Sequence, residues 1–147
     1  MKISFKGDYA LKVILDLAIN FGNEKVQIKD ISKRQDIPFK FLQQLVLHLR
    51  SAGYVKTKTG PQGGICLAKS PKEITVGEII RLIEGTTSPI ACVNELTDTK
   101  CADKSWCVFR CIWIEIRDKI NEIVDNITFE DLAKRAKELR KNCYYVI

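Results

Sequence analysis

Apolar positions at the start of the chain recur at helical rather than strand spacing. Ala10, Val13, Ile14, Leu17, Ala18 and Phe21 fall three or four apart, and Leu11 and Leu15 widen the stripe. The spacing predicts a helix over residues 7–20, covered on two sides and ended at Gly22-Asn23. A short second helix over 28–34 turns Ile28 and Ile31 inward, and Gln35-Asp36-Ile37 makes a turn. Pro38 suits the first turn of a third helix, where its missing N–H is no loss. That helix runs over 38–52 until Gly53 stops it, with Phe39, Leu42, Leu45, Val46 and Leu49 as its buried stripe. The period then changes from helical to alternating. Residues 54–58 read as a strand with Lys56 and Lys58 on one side, 59–64 as a dense glycine turn, and 65–67 as a returning strand.

Helical periodicity resumes over 76–84, with Thr75 as N-cap, Glu78 three residues on, and Gly85 as the stop. Residues 86–105 have little periodicity and read as a loop with at most one helical turn. From 106 to 126 Val108, Ile112, Ile116, Ile120 and Val124 lie four apart, with Phe109, Trp113 and Ile123 beside them. A helix this apolar on one side needs a covering partner, either its own head or another subunit. Thr128, with Asp131 three residues on, caps a last helix to about residue 142.

Two short helices joined by a tight turn, the second polar and basic outside, followed by a basic hairpin, form a winged helix-turn-helix pattern. The fold class is therefore mainly α, with a small β-hairpin wing and a long dimerisation helix. Three segments follow: a winged helix-turn-helix over 1–85, a cysteine-rich loop over 86–105, and the dimerisation and C-terminal helices over 106–147. On the third helix Lys40, Gln43, Gln44, His48 and Arg50 are left outside the apolar stripe, as residues that read DNA base edges or phosphates. Lys56, Lys58 and the turn Gly60, Pro61, Gln62, Gly63 would lie along backbone or minor groove. A solvated helix face is the bland alternative for the first set.

Charge favours the DNA reading. The formal net charge is +6. Residues 1–69 hold twelve Lys/Arg against five Asp/Glu, a surplus of seven, whereas residues 70–147 hold twelve against thirteen. All the surplus positive charge thus sits with the helix-turn-helix and wing, where a polyanion should bind. The glycine turn lacks the Gly-Lys-Ser/Thr ending of a nucleotide loop. One histidine and no nucleophile–base arrangement point away from an enzyme. No apolar run is long enough to span a bilayer, and Asp8, Lys12 and Asp16 interrupt the apolar N-terminus, so we expect a cytoplasmic protein with no membrane partner.

Four of the six cysteines stand close together as Cys92-x8-Cys101-x5-Cys107-x3-Cys111. In a reducing compartment such clusters more often bind metal than form disulfides. Soft thiolates favour an iron–sulfur cluster, the leading reading here. Structural zinc is an alternative, although the paired C-x2-C knuckles are absent. Metal-free thiol redox sensing is another. Cys66 and Cys143 read as bystanders. An iron–sulfur electron carrier is a rival of a different class, but it would not need a basic reading head.

The segments Lys6-Gly7-Asp8-Tyr9-Ala10, Phe41-Leu42-Gln43-Gln44-Leu45, Leu49-Arg50-Ser51-Ala52-Gly53, Gly60-Pro61-Gln62-Gly63-Gly64, Ile74-Thr75 and Ile83-Glu84-Gly85 together resemble the winged-helix repressors of the IscR and NsrR type, which sense iron–sulfur status or nitric oxide. The resemblance covers nearly the whole chain. It implies a homodimer clasped by the long helix, bound to a double-stranded DNA operator. It also implies three cluster ligands, which map to Cys92, Cys101 and Cys107, with a four-iron (4Fe–4S) cluster as the first reading and a two-iron (2Fe–2S) cluster as the second. The eight residues between Cys92 and Cys101 exceed the family's usual gap. IscR-like members take a histidine as fourth ligand where this chain has Arg110, a permanent cation that cannot ligate. NsrR-like members take an aspartate early in the first helix of the other subunit, which maps to Asp8. Cys111, one turn after Cys107, is the alternative fourth ligand.

Overall fold

A computed structural model of the chain describes residues 2–22, 25–60, 63–94, 96, 101 and 103–143. Pro61, Gln62 and the tail 144–147 lie outside the described residues.

The first helix, α1 (Phe5–Ile19), starts two residues earlier than the apolar pattern places it, because the Ser4 hydroxyl accepts from the Gly7 N–H and caps it. Glu84, from a distant helix, accepts from both the backbone N–H and the hydroxyl of Ser4, at 3.0 and 2.6 Å. Ala10, Val13, Ile14 and Leu17 are buried, as their spacing predicts. Phe21 is not: it is 50 % exposed. The helix has already ended, with Asn20 folded back on the Asp16 carbonyl, so Phe21 no longer continues the helical face.

α2 (Ile28–Gln35) ends on Asp36 in the left-handed region, φ 51°. α3 (Phe39–Ser51) follows. Pro38 is its N-cap rather than part of its first turn. Leu42, Leu45, Val46 and Leu49 form the buried stripe, but Phe39 is 42 % exposed. As the first helical residue it overhangs the core and lines a groove beside the wing instead. The wing is an antiparallel pair, β1 (Val55–Lys58) and β2 (Gly64–Leu67), in the register Val55–Leu67 and Lys56–Cys66. Val26 adds a bridge to Ile65 on the other edge of β2.

α4 (Val76–Glu84) carries the full capping box between Thr75 and Glu78. A short turn, Ala91–Val93, interrupts the loop that follows. α5 (Val108–Asn126) starts two residues after the predicted point, since Trp106 lies in a turn, 71 % exposed. α6 (Phe129–Cys143) is capped by Thr128, which exchanges hydrogen bonds with Asp131. The corner between α5 and α6 is stitched to the start of α4, with the Val76 N–H donating to Ile127 and the Phe129 N–H to Ile74.

The core gathers around α1, which packs against α6, α4, α2 and α3. Phe129 and Ala133 of α6 share this core with Ile14, Leu42 and Ile65. By contrast, α5 holds no buried residue along its 19 positions, roughly 28 Å of rod. Val108, Phe109, Ile112, Ile116 and Ile123 stand between 37 % and 74 % exposed. Trp113, Ile120 and Val124 of the same stripe are half-buried, Val124 beside Gly77 of α4, so within one chain the head covers part of this face and leaves the rest open. No helix among the described residues is long and apolar enough to cross a membrane.

Candidate nucleic-acid interface and cysteine segment

Helix α3 divides its residues cleanly. The leucine–valine stripe faces the core, and Lys40, Gln43, Gln44 and Arg50 are exposed, with His48 half-buried. Leu47 lies on the same outer face as Lys40, Gln43 and Gln44, at three- and four-residue steps, and is 54 % exposed. Sequence reasoning passed over it as an apolar residue. The signal was its phase: the buried stripe is complete without it. On a helix laid in a major groove, an exposed leucine suits contact with a thymine methyl.

Among the described residues, hydrogen bonds lash the wing to this head at three places. Val26 and Ile65 exchange backbone hydrogen bonds of 3.0 and 2.8 Å. The Gln27 side-chain amide donates to the Gly63 carbonyl at 2.7 Å. Arg50 of α3 donates to the Thr57 hydroxyl of β1 at 3.1 Å. None of these partners was legible as a pair in the sequence. The glycine turn has a steric cause: Gly60 sits at φ 111°, and a Cβ on Gly63 would run into the Lys58 and Gly60 carbonyls. Lys56 and Lys58 stand exposed on the strand leading into that turn. A groove of about 380 Å³ runs between the wing and the starts of α2 and α3, lined by Lys29, Phe39, Lys58 and Gly60 among others. The exposed cations Lys29, Lys33, Lys40, Lys56 and Lys58 give this side the charge that phosphate contacts need.

The cysteines fall on three supports. Cys92 is half-buried in the turn Ala91–Val93. Cys107, also half-buried, is the N-cap of α5. Cys101 is exposed, and a wound segment joins it to Cys107: the Lys104 N–H donates to the Cys101 carbonyl, and those of Trp106 and Cys107 to Asp103. Cys111 is exposed one turn into α5. All four are free thiols, as is Cys66 in the wing.

The donor set fits a cluster in kind. Three soft thiols are unpaired and lie on one segment, which is the ligand chemistry such groups take. Arg110, one turn after Cys107, buries its Nε with no hydrogen-bond partner among the described residues. An orphaned cationic donor of this sort is what an anionic group seated in the loop would satisfy. The set is not assembled in advance: among the described residues no three of His, Cys, Asp and Glu stand together as a metal site. Asp8 and Cys111 do not complete such a group either. Asp8 lies at the start of α1, its side chain 46 % exposed, and pairs with Lys12 at 2.7 Å. That hydrogen bond holds the Lys12 ammonium above its ordinary pKa.

Comparison with known proteins gives concordant matches. Residues 3–135 match the family model described as Rrf2, iron-dependent transcriptional regulator. The chain is 39 % identical over 133 residues to the HTH-type transcriptional regulator CymR of Bacillus subtilis (strain 168), covering 90 % of each. The solved structure of CymR, the global cysteine regulator of B. subtilis, matches with a TM-score of 0.76 at 38 % identity, over 92 % of this chain and 98 % of the other. The structure of T. potens IscR matches with a TM-score of 0.77 at 36 % identity, over 95 % of this chain and 90 % of the other.

Proposed function

The chain belongs to the Rrf2 family of transcriptional regulators, and on that premise we propose that it is a homodimeric repressor whose hold on operator DNA is switched by an iron–sulfur cluster. Gln43, Gln44, Leu47 and His48 read base edges. Lys40, Arg50, Lys56, Lys58 and the wing turn from Gly60 through Pro61, Gln62 and Gly63 bind the backbone. The exposed apolar face of α5 packs on its copy, and two-fold symmetry matches two half-sites.

Cys92, Cys101 and Cys107 hold the cluster, with Asp8 of the partner subunit as fourth ligand and Cys111 as the alternative. When bound, the cluster supplies an iron centre open to redox change or nitric oxide. The chain's own part is to bring three thiols from a turn, a loop and a helix cap to one place. Asp8 must exchange its ion pair with Lys12 for that role, so its recruitment competes with an exposed contact of small worth. The observation that carries the reading is the position of three free thiols between the reading head and a long helix with a partly uncovered apolar face.

A second reading has its own support. CymR, 39 % identical to this chain, is named a global cysteine regulator, and no ready-made metal group stands among the described residues. On that reading the thiols respond to redox or cysteine supply without a metal. Anaerobic purification separates the two. The cluster reading expects a brown protein with equal iron and acid-labile sulfide, and a changed DNA affinity after chelation. A colourless, iron-free protein whose DNA affinity follows thiol oxidation would replace it with the second reading.

A further inference from the structure

We propose that Arg117 is a positioning residue for Cys92, clamping the turn that carries this thiol onto the helix whose cap is Cys107. The inference rests on the cluster reading only for what the thiols hold, not for how Cys92 is placed.

Cys92 is the middle residue of the turn Ala91–Val93. Within the turn the Val93 N–H donates to Ile90 at 3.3 Å and the Asn94 N–H to Ala91 at 3.1 Å. A single 3₁₀ turn inside a loop has little stability of its own. Its position comes from Val93, the next residue, which is only 2 % exposed. The Val93 carbonyl accepts from Arg117 Nη1 at 2.9 Å and from the Ser88 hydroxyl at 3.4 Å. The first is charge-assisted, the stronger class of hydrogen bond.

Arg117 is itself braced. Its Nε and Nη2 both donate to Asp118 Oδ1, at 2.9 and 2.7 Å, which fixes the guanidinium plane and balances its charge. Only 15 % of its side chain is exposed, on a helix with no buried residue, so it is anchored by contacts rather than by solvent. The same helix is pinned to α4 by Arg81, which donates to Asp125 and Asn121, and to the loop after α4 by Thr87, which donates to Asn121. Cys107 and Cys92 are therefore registered to one rod, the first as its cap and the second through Arg117. Cys101, on the wound segment that leads into that cap, lies exposed. A polar pocket of about 230 Å³, lined by Arg117, Asn94, Ser88 and Asn121 among others, lies against the clamp. Replacing the guanidinium leaves the Val93 carbonyl facing a pocket that admits water, so the change releases the turn without opening the core.

The test uses the full chain as wild type, Arg117→Met and Arg117→Lys. In the reduced, cluster-free protein, the alkylation rate of each cysteine by iodoacetamide is read by peptide mass spectrometry. The expected result is about a tenfold faster reaction of Cys92 in Arg117→Met, the factor that loss of one charge-assisted hydrogen bond gives an opening equilibrium. Cys101 stays unchanged, and Arg117→Lys falls between. After anaerobic reconstitution, Arg117→Met should lose iron to a chelator about 10–100-fold faster, the usual effect of removing support behind a ligand. If Arg117→Met does not fold, Asp118→Asn, which only loosens the guanidinium, carries the same comparison with a smaller factor. Equal Cys92 reactivity in wild type and variants would overturn the positioning role, even where the wild type holds a cluster. A wild type without iron, in which Arg117→Met still unmasks Cys92, would uphold the positioning role and remove the cluster reading instead.

Discussion

Asp16 takes a carboxylate into the core at 3 % exposure, where a charge survives only if its partners are good. Arg34 supplies a two-point contact, Nε to Oδ2 at 3.1 Å and Nη2 to Oδ1 at 2.7 Å, and Gln35 adds a third bond at 3.0 Å. The pair is lopsided, because the Arg34 side chain is 45 % exposed. Removing the arginine strands a buried charge; removing the aspartate leaves a cation that water can still solvate. Arg34→Met is therefore expected to cost about 3–5 kcal/mol, and Asp16→Ala only about 1–2 kcal/mol. Urea midpoints at unchanged slope would measure both, and equal losses would show that the burial of Asp16 does not decide the energetics. At this scale the sequence was readable where partners are close. Thr75 with Glu78 and Thr128 with Asp131 are three apart and form as read. Asp16 and Arg34 are 18 residues apart, and nothing in the periodicity of α1 names its partner. Ser4 with Glu84, 80 apart, was hidden for the same reason.

Among the elements, α4 stands where its pattern puts it, because a capping box and a terminal glycine mark both ends within ten residues. The burial of α6 was not legible. Phe129 is wholly buried, yet in the sequence it is one aromatic between Thr128 and Glu130, and its burial depends on α6 folding back on α1. The helix α5 poses the opposite case: its apolar face was plain in the sequence, and what covers it was left open between head and partner. The head covers Ile120 and Val124 in part and leaves Ile112, Ile116 and Ile123 open. Ile112 and Ile116 are 51 % and 37 % exposed, so charges there would be harmless in a lone chain. In the proposed homodimer they are not. Ile112→Asp combined with Ile116→Asp is expected to give a folded monomer by sedimentation, with an unchanged helical spectrum. An intact dimer from that double variant would move the interface elsewhere.

For the molecule as a whole, the surplus of positive charge in residues 1–69 and the winged head fall on the same half of the chain. Affinity for duplex DNA should therefore drop steeply with salt as counterions are released. Lys56→Ala with Lys58→Ala is expected to weaken binding alike for all sequences, and to reduce the slope of log affinity against log salt by about one per lysine. Gln43→Ala should instead act on sequence preference while leaving that slope in place. Salt titrations on matched and scrambled duplexes read both. The topology behind this was legible, since hairpin and helix-turn-helix each announce themselves by a change of period. The lashings of the wing were not, because backbone bridges and an amide reaching a carbonyl 36 residues away leave no trace in composition. Those lashings have a consequence for control. With Val26, Gln27 and Arg50 each tying the hairpin to the helices, one head works as a stamp whose wing is held at its base. On the proposed reading, a signal arriving at the cysteines has less to change inside the stamp than in how two copies are set. In the proposed homodimer, that leaves the gap between two stamps and the angle at which they face each other. Operators that answer the signal should therefore differ from those that ignore it in the number of base pairs between half-sites, not in the letters each half-site contains.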